Sequence, residues 1–409
     1  YIMDNLTKYI GNIQLWIIMK GKNMVIKRHF KKLITTTLVG ITVLTPINKL
    51  SYAQSKNLIF NNINIEQGIS QSTIEAIFQD SEGYIWLGTN DGLNRYNGYE
   101  FKIYNYEEYQ NSISHNGITD ITEDKYGNIW VNTVSGVNKI NKKTEKISNY
   151  TEINGKIKED STTEIIVTKD NNILVGTYEG LNIYNAKEDR FDIILEQKDG
   201  ILSSCIYSID EDINGNIWIG TELGLNKLSK DFKVLETYTS ESGIYNIFCD
   251  DENGFLWAGS DSSGLLKIDT KTKEVKQYIN NIEDLNSLPA NQVGAIIRDS
   301  KGNLWVGTTN GLARYNEKND SFDVYKNKVY DKNSLVYNDV RSIIEDREGV
   351  LWVGTYSGIS IFDTESSIKY YNAGLDDGYL LSENMVHGIY EDDEGYLWIG
   401  SRTKGVNII

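Results

Sequence analysis

Gly83-Tyr84-Ile85-Trp86-Leu87-Gly88-Thr89 is the stretch that decides how this chain is read. It returns as Gly127-Asn128-Ile129-Trp130-Val131-Asn132-Thr133 and around Trp218, Trp257, Trp305, Trp352 and Trp398. Each copy is Gly, any residue, Ile or Leu, Trp, then an aliphatic residue, and these copies hold seven of the eight tryptophans. A degenerate copy, Ile173-Leu174-Val175-Gly176-Thr177, has Leu174 in the Trp position. Successive positions lie 44, 44, 44, 39, 48, 47 and 46 residues apart. A period near 44 is the length of a four-stranded propeller blade.

The residues around each Trp fit that unit. Upstream lies a short apolar segment such as Val340-Arg341-Ser342-Ile343-Ile344, read as the innermost strand. An acidic turn such as Glu345-Asp346-Arg347-Glu348-Gly349 follows, then the Trp strand. Third and fourth strands are typified by Leu93-Asn94-Arg95-Tyr96 and Glu100-Phe101-Lys102-Ile103-Tyr104. The Trp strand is apolar on both faces, as expected of a strand buried from both sides. The fold class is therefore all-β, a propeller of eight repeats of about 44 residues.

The recurring residue types have physical reasons. Burying Trp86, Trp130, Leu174, Trp218, Trp257, Trp305, Trp352 and Trp398 is expected to hold the blades together. One Trp removes about 150–250 Å² from water, roughly 4–6 kcal/mol gross. The glycine two residues after the Trp leaves room for a facing side chain. Small residues ten before it (Ala76, Ser208, Ala295, Ser342, Gly388) suit strands crowded near the axis. Asp stands six before the Trp in seven copies, as Asp80, Asp124, Asp212, Asp251, Asp299, Asp346 and Asp392. An Asp that accepts its own turn's N–H groups accounts for this, and these turns lack the ligand spacing of a calcium loop.

The 409 residues divide accordingly. Residues 24–53 read as a secretory signal peptide. Lys27, Arg28, Lys31 and Lys32 form the basic start, residues 33–45 the apolar stretch, and Ser51-Tyr52-Ala53 the small-residue cleavage site. Thirteen residues rise only about 20 Å as helix against a ~30 Å hydrocarbon core, so cleavage is expected rather than anchoring. Residues 1–23, beginning at Tyr1, read as sequence upstream of a start at Met24, and residues 54–409 as the propeller repeats. The net charge is −16; residues 1–53 hold eight Lys and Arg and one Asp, so the remainder stands at −23. A surface this acidic disfavours nucleic acid and anionic lipid.

The repeats closely resemble the two-component regulator propeller repeat. Gln67-Gly68-Ile69-Ser70-Gln71-Ser72, followed by the run from Gln79 through Trp86 to Gly98, is similar to that family's first repeat. Asn286-Ser287-Leu288-Pro289-Ala290-Asn291-Gln292-Val293, recurring as Asn333-Ser334-Leu335-Val336-Tyr337-Asn338-Asp339-Val340, is similar to its link between blades. The resemblance covers about residues 58 to 409. It implies the extracytoplasmic sensor region of a hybrid two-component or sensor kinase-like protein, with seven-bladed propellers often in tandem. A β-sandwich, a membrane helix and a histidine kinase or diguanylate cyclase output domain would follow. Against that pattern the chain is expected to be a fragment: seven blades plus the start of a second propeller, tethered to the membrane only through a missing C-terminal helix. A single closed eight-bladed ring is the alternative, with residues 58–65 as the fourth strand of the eighth unit.

Chemistry within the chain is sparse. His115 and His387, the histidines beyond the leader's His29, lack the acidic neighbour of a kinase phosphoacceptor, and no nucleotide-binding Gly loop is present. No catalytic residue, metal or cofactor is called for. Cys205 and Cys249 stand at unmatched offsets in adjacent units, which suits buried free thiols better than a disulfide. A propeller glycoside hydrolase or lyase would need paired carboxylates at the axis, and none stands out. The functional expectation is a ligand sensor, with a free-standing secreted propeller that binds carbohydrate or protein as the alternative. The candidate ligand residues lie on the face shared by the inter-blade links and the turns after the Trp strand: Asn116, Asn291, Asn338, Asn384, Tyr178, Tyr356 and Arg402. An oligosaccharide or other small ligand is the expected partner, Asn meeting sugar hydroxyls and Tyr stacking on sugar rings, with a homodimer formed through propellers. Each Asn has the competing role of stabilising its own turn.

Overall fold

The computed structural model describes residues 58–108, 110–364, 381–383, 385–392 and 396–408. The leader assigned to residues 24–53, residues 1–23 and Asn384 lie outside them. Each repeat forms an antiparallel sheet whose strands neighbour one another in chain order. In the first sheet they are Ile74–Gln79, Ile85–Thr89, Gly92–Tyr96 and Phe101–Tyr104. The next five sheets begin with innermost strands Ile118–Glu123, Thr162–Val167, Ile206–Glu211, Ile244–Asp250 and Val293–Arg298. The seventh begins with Val340–Glu345. Each innermost strand packs against the next, and that of the seventh sheet packs against that of the first.

The seventh sheet takes its fourth strand from the other end of the described chain. Asn61–Ile63 pairs antiparallel with Gly358–Asp363, matching Asn61 to Ile361, Asn62 to Ser360 and Ile63 to Ile359. Residues 58–65 thus supply the outer strand of the seventh repeat, which corrects their placement in the eighth. The cause is local chemistry: Phe60 packs on Phe362 at 4.9 Å, and Ser360 Oγ donates to Asn62 Oδ1 at 2.7 Å.

The eighth repeat is a separate three-stranded sheet of Val386–Glu391, Leu397–Ser401 and Val406–Ile408. Ile389, Tyr390 and Val406 are exposed, and Trp398 is 41% exposed where the other six motif tryptophans are at most 8%. The expected burial therefore holds from Trp86 to Trp352, including Leu174, and fails at Trp398. Among the described residues no fourth strand pairs with the eighth sheet.

The acidic turn and the Trp are one device. Asp80 Oδ1 accepts the N–H groups of Glu82 and Tyr84 at 2.9 and 3.1 Å, while Oδ2 accepts the Trp86 indole N–H at 2.9 Å. The indole bond recurs in Asp124–Trp130, Asp299–Trp305 and Asp346–Trp352. A buried indole N–H needs an acceptor, and six residues is the distance from turn to strand at which the turn's own carboxylate can supply it. The third repeat, with Leu174 in place of Trp, has Thr168 in place of Asp, so both halves are missing together. In the fifth repeat the acceptor is Asp250, at 3.1 Å from Trp257 Nε1 and paired with Arg298, rather than the expected Asp251. The innermost strand there runs one residue longer, which moves the acceptor back by one. In the fourth, Asp212 instead binds Asn216 and Lys227.

Tyrosines of the fourth strand complete the packing. Tyr104 stacks on Trp86, and Tyr150 on Trp130. The glycine after the Trp is a point of close approach: a Cβ at Gly307 would lie 2.4 Å from Val340 Cγ1 of the next sheet. The Thr that follows closes the turn, with Thr89 Oγ1 donating to Gly92 O at 2.8 Å.

Two substitutions test this construction. Gly307→Val should cost about 1–3 kcal/mol through overpacking against Val340. Asp299→Ala should cost about 2–3 kcal/mol, because it strands the Trp305 indole and two turn N–H groups. Urea denaturation midpoints at fixed m-value check both.

Candidate functional site

An innermost strand is a sheet edge, and in all seven repeats of the ring it is bulged. Pairing with the Trp strand shifts between Ile74 and Ala76, Ile118 and Asp120, Ile206 and Ser208, Ile244 and Asn246, Val293 and Ala295, and Val340 and Ser342. In the third repeat the shift spans Thr162 to Ile165. The first residue of each strand packs towards the preceding sheet, and the bulge turns the second out of the ladder. Those second residues are Glu75, Thr119, Thr163, Tyr207, Tyr245, Gly294 and Arg341, and together they line one cavity of about 250 Å³. All seven innermost strands contribute to its wall, which places it on the axis.

Asp120 and Glu164 belong to the same wall. The inward N–H groups of an edge strand lack ladder partners, and carboxylates of the preceding sheet supply them. Ile165 N donates to Asp120 Oδ2 at 2.9 Å, Ile209 N to Glu164 Oε2 at 2.6 Å and Cys249 N to Asp210 Oδ2 at 2.7 Å. Burial raises the Asp120 carboxyl to about 7, although two backbone N–H groups oppose the shift. Burial, then the Asp120 charge, pushes Glu164 well above the usual carboxylate range. Burial raises Asp210 as well. Burial and the neighbouring Asp210 push the Cys249 thiol up. Cys205 and Cys249 are both free, and both are partly buried rather than fully so.

Across the cavity Arg341 is held in a fork. Its Nε and Nη2 reach Asp339 at 2.9 and 3.0 Å, Nη1 reaches Glu75 at 3.5 Å, and the guanidinium lies 5.8 Å from the Tyr356 ring centre. On the other side Tyr207 and Tyr245 stack at 4.3 Å and 11°, with Tyr178 edge-on to Tyr207 at 6.3 Å. Asn246, also in the wall, has a solvent-inaccessible Oδ1 without a hydrogen-bond partner.

The residues expected at the site fall in different places. Tyr178 and Tyr356 are exposed and pack beside the wall residues Tyr207 and Arg341. Asn116 Oδ1 accepts Tyr106 N at 2.6 Å and its Nδ2 donates to Asp91, so the side chain is spent within its own link. Asn291 and Asn338 likewise accept Asn280 N and Asn327 N, each at 2.7 Å. The competing role, turn stabilisation, is thus the one these three side chains have. Arg402 stands exposed on the eighth sheet with its Nη1 towards Met385 Sδ, and it is not among the residues that line the cavity.

The wall residues Glu75, Asp120, Glu164, Tyr207, Tyr245 and Arg341 went unnoticed in the sequence. One signal was present: the column ten before the Trp is small in the first, fourth, sixth and seventh repeats, but carries Asp120 and Glu164 in the second and third.

With this geometry in view, the comparisons with known proteins take their meaning. The family model described as two component regulator propeller matches residues 68–91, 112–135, 200–222, 287–310, 334–357 and 380–403. A histidine kinase of Formosa agariphila is 46% identical over 52 residues, 13% of this chain and 4% of that protein. The extracellular domain of a hybrid two-component system from B. thetaiotaomicron superposes with TM-score 0.72 at 24% identity, covering 86% of this chain and 48% of that one. A second such domain, of a one-component system from the same organism, gives 0.61 at 21%, covering 86% and 52%. A streptogramin B lyase gives 0.57 at 14%, covering 75% of this chain and 98% of that one. The chain therefore spans about half the length of the extracellular domains and a small fraction of the curated kinase. At these identities the solved structures establish the propeller fold, and the six matched segments coincide with the link, innermost-strand and Trp-strand units of the first, second, fourth, sixth, seventh and eighth repeats. The chain carries six matches to the two component regulator propeller repeat on an all-β propeller fold.

Proposed function

We propose that this propeller is the extracytoplasmic ligand-sensing module of a two-component-type signalling protein, with the axial cavity as its sensing site. One observation carries the reading: the bulge residue of every innermost strand in the ring faces a single polar cavity flanked by exposed tyrosines. A ligand there touches all seven repeats at once, so occupancy is felt by the whole ring. The signal then passes to an output module such as the histidine kinase of the Formosa agariphila relative. Among the described residues no helix is long and apolar enough to cross a membrane.

A second reading, a propeller that cleaves a carbohydrate, draws on the interacting carboxyls of Asp120 and Glu164. The two readings differ in turnover: a sensor leaves its ligand intact over hours, and an enzyme consumes it.

Calorimetric titration of the purified chain with a panel of mono- and oligosaccharides and small amines tests the sensing reading. Saturable binding is expected, and Tyr245→Ala should weaken it about tenfold, equivalent to roughly 1.4 kcal/mol. No binding across the panel would overturn the reading.

The cavity also predicts a pH dependence of folding. A carboxyl whose folded pKa is raised stabilises the fold fully below its unfolded value near 4, and this contribution is lost as pH climbs to the folded value. With Asp120 raised to about 7 and Glu164 raised as well, their contribution should decline between about pH 4 and pH 7. Glu164→Gln keeps an acceptor for Ile209 N–H and removes the charge. It should stabilise the chain at pH 8 relative to its effect at pH 4. Urea midpoints at the two pH values check this.

A further inference from the structure

We infer that the axial cavity binds a primary ammonium group, so that the ligand sensed there is an amine-bearing small molecule. This rests on the cavity being the sensing site and narrows what occupies it.

The wall is rich in carboxyl groups and in acceptors. Glu75, Asp120 and Glu164 face a single cation, Arg341, whose guanidinium is already engaged by Asp339 and Glu75. The two threonines turn their protons away, Thr119 Oγ1 donating to Thr162 O at 3.4 Å and Thr163 Oγ1 to Ile206 O at 2.8 Å. Their lone pairs remain for a donor inside. Asn246, another wall residue, has a buried Oδ1 without a hydrogen-bond partner, an arrangement that costs free energy. An ammonium group offers three donors and a positive charge, matching the excess on both counts. The stacked Tyr207 and Tyr245 add aromatic surface to which a cation is attracted.

Other ligand classes fit less well. An anion would meet three carboxylates, and a neutral polyol would leave the Asp120–Glu164 interaction unrelieved. Among the described residues no group of three or more His, Cys, Asp or Glu side chains is arranged to hold a metal ion. At about 250 Å³ the cavity is below the ~300–1,000 Å³ usual for drug-sized ligands, so it admits one small cationic group rather than a polymer.

Proton linkage follows. The charged and titratable groups facing the ligand are Glu75, Asp120, Glu164, Tyr207, Tyr245 and Arg341, with Asp210 beyond them. A bound cation favours ionised Asp120 and Glu164, so binding near pH 7 releases protons and tightens from pH 5 to pH 8.

The experiment is isothermal titration of the purified chain with 1,4-diaminobutane and glucosamine against their neutral counterparts, 1,4-butanediol and N-acetylglucosamine. Two buffers of different ionisation enthalpy report the protons. The amines should bind at least tenfold more tightly than the neutral compounds, with proton release at pH 7. Glu164→Gln and Asp120→Asn should each weaken diaminobutane tenfold or more without lowering the melting temperature. Equal affinity for amine and neutral counterpart, or amine binding untouched by both variants, overturns the inference. Binding of neutral glycans but of neither amine overturns it while leaving the sensing reading in place. No binding of either class overturns both.

Discussion

The distance between adjacent sheets is set by one contact, the first residue of each innermost strand pressed on the glycine two residues past the Trp of the preceding sheet. Ile118 meets Gly88, Ile206 meets Gly176, Ile244 meets Gly220, Val293 meets Gly259 and Val340 meets Gly307. The series returns on itself where Ile74 meets Gly354. The second repeat is the exception: Asn132 replaces the glycine, and the facing residue shrinks to Thr162. With the sheets this close, the indoles are sealed from water and their N–H groups need the turn carboxylates. The same approach crowds the start of the innermost strand, and the bulge there turns the next residue towards the axis. Packing, hydrogen bonding and the shape of the cavity thus share one cause.

That shared cause explains an asymmetry between the repeats' outer and inner parts. The Asp–Trp pair, the glycine and the turn-closing Thr vary little because each meets a neighbour that leaves no choice. The bulge residues face open space and are Glu, Thr, Thr, Tyr, Tyr, Gly and Arg in order round the ring. A repeat protein with one scaffold and seven free positions around an axis can alter its ligand without altering its fold. Beside them the buried carboxyls of Asp120 and Glu164 carry a stability penalty at neutral pH.

The fold was legible in the sequence for the same reason. Trp recurs because a large side chain is needed to fill the gap between sheets, so its period reports the blade directly. The wall was not legible, because Glu75 and Arg341 stand 266 residues apart and meet only through ring geometry. Asn116, Asn291 and Asn338 recur visibly, yet they recur because every link needs the same turn. The repeated polar residues serve the turns, and the unrepeated ones line the cavity. The acceptor at Asp250 escaped because a one-residue extension of a strand shifts a turn without changing the motif around it. The closing strand is recognisable as a fourth strand, but which sheet it joins is not, since its fit depends on Phe362 and Ser360 and not on any repeat pattern.

The three-residue strand Asn61–Ile63 also fixes the order of events when the chain is made. Its partner, Gly358–Asp363, lies nearly three hundred residues downstream, so the ring cannot close until the seventh repeat has appeared. Until then the innermost strands of the first and seventh positions each lack a neighbour, and their bare edges are open to pairing with other chains. Linear repeat arrays can nucleate anywhere and gain stability unit by unit. A ring latched this way instead gains its last interface late and through a contact of very long range, which slows folding. Once latched, opening at one joint exposes both the first and the seventh sheet, so the repeats are coupled into one cooperative body whose half-life depends on its weakest seam.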